Sequence, residues 1–336
     1  MKHLSNILKV AISIAILAAL FYWAWQDDQF SRAAGAEKKW GWLLLGFAGC
    51  LVAHILGYVR WRLLVKALEL PFSLVDSIRI GLIGTFFGQF GVGVLGGDAL
   101  RAFYVCREVP ERKPEAISSV VIDRMIGLLT MMVVASIAYL TFGIPEDGMK
   151  NLDRLATIKL IADSAVVISA CGIAGLGILV FTPQLTNTSL FKWVFSLPKI
   201  GGILKRLSDV VQVYRDKPGL MFVCFLYSVA VNFSFAFAIF AIATGLSANR
   251  PTFGQHLLIE PVSMVANALP VGTMEVTLNY FYTAFTRATA AGEIGIVVAF
   301  AFRFSILLVA AIGAVAWLMN KNKLAGVVEQ ARDESA

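Results

Sequence analysis

Charge is the first thing this chain lacks. Charged residues make up 15% of its 336 positions, against about 25% in an ordinary soluble domain. That shortage argues against a water-filled surface of normal size. Histidine is also scarce, with three in all, and the four cysteines (Cys50, Cys106, Cys171, Cys224) are scattered without a C-x-x-C pair. No metal centre or disulfide framework is expected, and the cysteines read as small buried hydrophobes. There is no G-x-x-x-x-G-K-[ST] stretch, so ATP-driven work by this chain alone is not expected. Gly91-Val92-Gly93-Val94-Leu95-Gly96 does fit G-x-G-x-x-G. A dinucleotide site needs a preceding strand and a βαβ unit around that motif, and an apolar segment supplies neither. No cofactor is expected.

What the chain has is hydrophobic residues, 58% of it, recurring from end to end. Crossing a bilayer takes about 20 apolar residues, and six stretches qualify: 7–25, 40–59, 117–142, 161–181, 219–246 and 293–319. The first, behind Lys2 and Lys9, has a signal peptide as its rival. It shows no small-x-small cleavage site and ends in Phe21, Tyr22, Trp23 and Trp25, which suit an interfacial anchor. Two further apolar stretches are broken. The stretch 78–105 contains Gly81, Gly84, Gly88, Gly91, Gly93, Gly96 and Gly97; the stretch 255–290 contains Pro261, Pro270 and Gly272. Such breaks are tolerated at membrane depth only where protein or a wet cavity satisfies the freed backbone.

Loop charge decides how the breaks are threaded. The 29 Lys and Arg outnumber the 22 Asp and Glu, but the surplus falls in short loops, as topology requires, and does not point to nucleic acid. If both broken stretches dip in and return, eighteen Lys and Arg fall on the side of the N-terminus, among them Arg60, Arg62, Lys66, Arg112, Lys192 and Lys217. Eight fall on the other side. That bias places both termini in the cytoplasm and the chain in a bacterial-type inner membrane. Each half then reads span, span, break, span. Three crossings per half make the halves inverted relative to one another, a recurring transporter plan. The expected fold is therefore an all-α integral membrane protein with about six full spans plus two re-entrant broken-helix hairpins arranged as an inverted repeat. It forms one membrane domain over 1–325, with halves of about 1–145 and 146–325, and 326–336 is a short cytoplasmic tail. A weak echo accompanies this: Gly91-Val92-Gly93 precedes Asp98, and Pro270-Val271-Gly272 precedes Glu275.

Three arginines remain in or near apolar segments: Arg79, Arg124 and Arg303. A charge at the centre of a membrane helix costs at least about 2.5–3.5 kcal/mol, so such groups face a cavity or a partner. Arg79 opens its segment and suits an interface; Arg303 lies mid-helix. Asp123 and Arg124 are adjacent and point in different directions, so separate partners are expected, with Arg101 for Asp123. In Gly96-Gly97-Asp98-Ala99-Leu100-Arg101, Asp98 fits an N-cap. The free N–H groups there, with Arg101 one turn on, suit a phosphate; the alternative is a capped helix with Arg101 facing cytoplasm. Glu275 stands at a second helix start, as a cap, as a group that takes up a proton, or as a contact for a cationic head group. Glu260, Asn267 and Asn279 are the other polar groups of that stretch. His54 and Asn232 suit hydrogen bonds between helices.

Gly96-Gly97-Asp98-Ala99-Leu100-Arg101-Ala102-Phe103, followed by Asp123-Arg124-Met125-Ile126-Gly127, resembles the flippase-like membrane region of lysylphosphatidylglycerol synthases and their stand-alone relatives. That family has a Gly-Gly-Asp-x-x-Arg run and, some twenty residues on, an Asp-Arg pair. Its later half has a Pro/Gly break followed by an acid, as Pro270-Val271-Gly272-Thr273-Met274-Glu275 does here. The chain departs from the pattern where Gly91 replaces an early proline and Met274 an arginine before the acid. The resemblance implies movement of a phospholipid or a lipid-linked head group between leaflets, without synthase chemistry, so the chain is not expected to be an enzyme; the arginines suit a membrane lipid with a phosphate head group as its partner. Gly96, Gly97, Asp98, Arg101, Asp123, Arg124, Glu275 and Arg303 would form the substrate site. Relatives belong to pathways of aminoacylated phospholipids, polyprenyl-linked sugars and hopanoids, so kinship does not fix the lipid. Two alternatives stand beside this one: an accessory protein working with a lipid-synthesising enzyme, and an intramembrane enzyme using Asp98, Asp123 or Glu275 as acid–base groups.

Overall fold

A backbone surrounded by lipid must satisfy its N–H and C=O groups within the segment, which in an open chain leaves the α-helix. The computed structural model describes residues 18–19, 21–22, 25–26, 28–35, 37–90, 94–144, 152–181, 214–246, 249–267, 272–286 and 294–319. Among these residues there are ten α-helices and no strand. In order they are α1 (Gln29–Gly35), α2 (Trp40–Ala67), α3 (Leu74–Phe90), α4 (Val94–Glu108) and, after a 3-10 turn at Pro110–Arg112, α5 (Lys113–Phe142). Then follow α6 (Leu152–Phe181), α7 (Pro218–Gly245), α8 (Phe253–Ala266), α9 (Thr273–Phe285) and α10 (Gly295–Met319).

Five of these, α2, α5, α6, α7 and α10, are long and apolar enough to cross a membrane. They answer to five of the six expected spans. The sixth, 7–25, lies mostly outside the described residues, as do the tail 326–336 and the centres of the two breaks, 91–93 and 268–271. One boundary needs correction. The span expected at 40–59 continues to Ala67, so Arg60, counted above as a loop charge, lies inside a helix and is buried. Its 28 residues rise about 42 Å, longer than the roughly 30 Å hydrocarbon core.

The broken stretches each give two short helices. α3 and α4 have 17 and 15 residues, α8 and α9 have 14 and 13, or about 20–26 Å at 1.5 Å per residue. None is long enough to cross alone. The two members of each pair pack on one another. α8 opens with a capping box, in which the Thr252 hydroxyl accepts from the Gln255 amide and the Gln255 side chain accepts from the Thr252 N–H.

With no hydrophobic force between helices in lipid, close approach depends on small residues. A Cβ on Gly97 of α4 would stand 2.2 Å from the Gly84 carbonyl oxygen of α3, and one on Gly313 of α10 would stand 2.1 Å from the Leu82 carbonyl oxygen. α3 is thus clasped on two sides by glycine contacts. The wider packing pairs α2 with α7, α3 with α10, α5 with α8, α4 with α5 and α9 with α10. Two apolar clusters fill the interior. One surrounds Trp61, Ile80, Ile122 and Cys224, the other Cys50, Ile239, Phe281 and Phe302. The outer faces carry Leu44, Leu140, Leu160, Phe222, Phe304 and Leu318, all exposed, as side chains meeting acyl chains would be. All four cysteines are free; Cys50 and Cys224 are buried, but Cys171 is exposed and Cys106 half-buried, so the expectation of burial fails for that second pair.

Candidate functional site

Two clusters of charge sit in the interior, one on each pair of short helices. In the first, α4 presents Asp98 one turn into the helix. Arg124 of α5 donates to it twice, Nε to Oδ2 at 2.6 Å and a terminal nitrogen to Oδ1 at 2.5 Å. Arg101, on the same face of α4, lies 3.7 Å from Asp98. Its guanidinium stands over Tyr58 and Trp61 of α2, 5.4 and 5.6 Å from the ring centroids, a favourable seat for a cation. Its buried Nε has no hydrogen-bond acceptor among the described residues. Next to these, Arg60 of α2 donates to Asp123 at 2.7 Å and to the Ser228 hydroxyl of α7 at 2.6 Å.

In this cluster three guanidinium groups, on Arg60, Arg101 and Arg124, face two carboxylates, on Asp98 and Asp123, which leaves one positive charge. The Arg124 side chain is 47% exposed, Asp98 only 12%. The surplus cation therefore belongs to a partly open site rather than a sealed one.

The second cluster is closed. Arg303, mid-way along α10, donates to Glu275 of α9 through Nε at 2.5 Å and a terminal nitrogen at 3.2 Å. It also donates to Gln89, next to last in α3, at 3.2 Å and to Asn267, at the end of α8, at 2.8 Å. Both helices that run into a break thus end on this one guanidinium, where the negative end of each helix dipole favours a cation. Glu275 is fully buried and the Arg303 side chain 9% exposed. Bidentate geometry and extra hydrogen bonds are what make a buried pair tolerable.

The structure therefore gathers Gly97, Asp98, Arg101 and Arg124 in one cluster, with Gly96 on the same helix, and sets Glu275 and Arg303 in another. Several expectations need correction. Asp123 pairs with Arg60, not with Arg101, because α2 extends past residue 59 and carries Arg60 to its depth. Asp98 is not an N-cap: α4 begins at Val94, so Gly96 and Gly97 lie within the helix and Asp98 faces α5. Glu275 is not a cap either. Gly272 holds that position with φ 107°, and Glu275, in the first turn, turns to Arg303. His54 and Asn232 bond within their own helices, to the Cys50 and Ser228 carbonyls, while His54 meets Phe235 of α7 edge-on at 5.2 Å. Arg79 pairs with Asp76 on its own helix.

Sequence reasoning missed Arg60, Gln89, Tyr58 and Trp61. A signal existed for Arg60: the apolar run resumes after it at Leu63-Leu64-Val65, which argues against a helix end at 59. No group of three or more His, Cys, Asp or Glu side chains among the described residues is arranged to hold a metal.

Searches of curated proteins and of solved structures each returned no match. The family described as Lysylphosphatidylglycerol synthase TM region matches residues 6–320, nearly the whole chain. With five membrane-length helices and paired charges at depth, the protein is a multi-pass integral membrane protein that belongs to the lysylphosphatidylglycerol synthase TM region family.

Proposed function

We propose that this protein moves a lipid with a phosphate-bearing head group between the leaflets of an inner membrane, without modifying it. The observation that carries this reading is the surplus positive charge of the cluster around Asp98, Arg101 and Arg124, together with a buried Arg101 Nε that has no acceptor among the described residues. A phosphate oxygen supplies both the countercharge and the acceptor. The half-exposed Arg124 gives the head group its way in, and the acyl tails stay in lipid. Gly97 lets α4 pack against Gly84 of α3 beside this site, and Asp123 holds Arg60 in place next to it.

The arrangement of helices supports an inverted repeat of two halves, 1–145 and 146–325, in one membrane domain. Exchanging the halves maps α2 onto α7, α3 onto α8, α4 onto α9 and α5 onto α10. The packing pairs then exchange as well: α3 with α10 becomes α8 with α5, and α4 with α5 becomes α9 with α10. The ion pairs follow, Asp98–Arg124 becoming Glu275–Arg303. On this reading the two short-helix pairs are re-entrant, both termini are cytoplasmic, and Arg303 ties the two breaks at the midplane. Rocking one half against the other would open Arg124 and Arg303 to opposite leaflets in turn.

The test is leaflet exchange. Purified protein reconstituted into phosphatidylglycerol-containing vesicles with fluorescent lipid should let an outer quencher reach the protected half of the label. Arg101→Ala should slow that loss. No protein-dependent exchange with phosphatidylglycerol, phosphatidylethanolamine, aminoacylated phosphatidylglycerol or polyprenyl phosphates would refute the reading.

A further inference from the structure

One face of α8 is a file of polar side chains. Thr252, His256, Glu260, Ser263 and Asn267 follow at steps of four, four, three and four residues, which keeps them on one side of a helix. The file starts at exposed Thr252 and ends at Asn267, which holds Arg303. Its middle members are fully or almost fully buried: His256 and Glu260 at 0%, Ser263 at 2%. His256 Nδ1 donates to the Thr252 carbonyl at 2.8 Å, so in its neutral form Nε2 accepts from the Tyr282 hydroxyl at 2.7 Å. Neither oxygen of Glu260, nor the Ser263 hydroxyl, has a hydrogen-bond partner among the described residues.

Among the described residues no cation pairs with Glu260; Arg250, just ahead of α8, lies over the Phe240 ring and donates to the Thr244 hydroxyl. On α5 the charged residues, Lys113, Glu115, Asp123 and Arg124, fall in the first half, whereas α8 begins against the far end, where Phe142 meets Gly254. The polar side chains of that end are Ser136, Tyr139 and Thr141, and the Ser136 hydroxyl bonds the Met132 carbonyl and Ser169 of α6. α7 has no charged residue; where it packs on α8 through Phe233 and Phe240, its polar side chains are Asn232, Ser234 and Thr244. α9 offers Tyr280, Tyr282 and Glu275, the last already held by Arg303. On α8 itself only His256 titrates nearby, and it is occupied at both nitrogens. An ionised Glu260 would be a buried charge with no partner, whereas the protonated acid leaves no charge to bury.

We propose that Glu260 is a proton-binding group that couples a proton to the opening of the Arg303–Glu275 pair; the coupling half rests on the translocation reading above. The register set by His256 and Tyr282 in the antiparallel α8 and α9 puts Ser263 level with Glu275. A head-group phosphate that takes Arg303 leaves Glu275 buried without a cation. The Glu260 proton then passes by way of the Ser263 hydroxyl to the Glu275 carboxylate, its O–H electron pair staying on Glu260. A proton arriving from the exposed Thr252 end restores Glu260.

Two measurements decide this. Infrared spectra of the protein in phosphatidylglycerol–phosphatidylcholine vesicles should contain a carboxylic-acid carbonyl band near neutral pH. Glu260→Gln should remove it and Glu260→Asp should shift it, the latter guarding against a Gln variant that does not fold. An unchanged band in Glu260→Gln would overturn the proton site. In leaflet exchange, a gradient of one pH unit should bias the label in wild type by up to about tenfold. Glu260→Gln should still exchange label but show no bias. A bias equal to wild type would overturn the coupling with translocation intact. A wild type that exchanges nothing would overturn translocation and coupling together, leaving the band to judge the proton site alone.

Discussion

The two charge clusters have the same parts in opposite states. Each has a carboxylate early in the second helix of a short pair, Asp98 on α4 and Glu275 on α9. Each is gripped at both oxygens by an arginine of the next long helix, Arg124 and Arg303. Yet the Arg124 side chain is 47% exposed and that of Arg303 only 9%. The first cluster has an additional cation, Arg101, while the second has Met274, whose sulfur lies 3.9 Å from Arg303. Met274 fills the space beside the pair with a neutral, fully buried side chain. The difference teaches that one kind of ion pair serves two ends. Open and overcharged, it suits the anion site proposed above; closed and neutral, it ties helices together in this structure.

That contrast can be broken at its buried end first. Arg303→Ala leaves Glu275 at 0% exposure without a cation and strands Gln89 and Asn267. It should cost about 3–5 kcal/mol, the range for removing one partner of a buried pair, and appear as a large drop in unfolding temperature in detergent. A smaller loss, about 1–3 kcal/mol, is expected for Gly97→Ala, whose new methyl would overlap the Gly84 carbonyl and push α4 from α3. The same melt reads it, and full stability would mean the α3–α4 contact yields. Smallest is Arg124→Ala. Its pair is half open, and Arg101 stands 3.7 Å from Asp98 to take its place, so under about 1 kcal/mol is expected. Equal losses for Arg124→Ala and Arg303→Ala would erase the distinction between the clusters.

Much of this was legible in the sequence. The glycines and prolines show that two short helices replace a span in each broken stretch, but not where each helix ends: Gly84, Gly97 and Pro261, read as breaks, lie inside α3, α4 and α8. Arg303 stands out because the apolar run on either side of it leaves no loop to hold it. Partner choice was not legible. Arg124 meets Asp98 across 26 residues and Arg60 meets Asp123 across 63, and nothing in local spacing reports which helices pack. Arg60 was lost to a length rule: a charge beyond the twentieth residue of a span is assigned to a loop, although the apolar run resumes at Leu63. Gln89, a lone amide beside Phe87 and Phe90, gives no sign by composition that it reaches Arg303.

The central claim is that phosphate-bearing lipid passes between the two halves at the arginine clusters. It is tested most directly by leaflet exchange with Arg303→Lys beside wild type, both shown to be folded and monodisperse. Lysine keeps the charge but cannot present a fork to Glu275, Gln89 and Asn267 together. The account predicts exchange by wild type and its loss or strong slowing in the variant. Wild-type rates in Arg303→Lys, with Arg303→Ala also active, would contradict it.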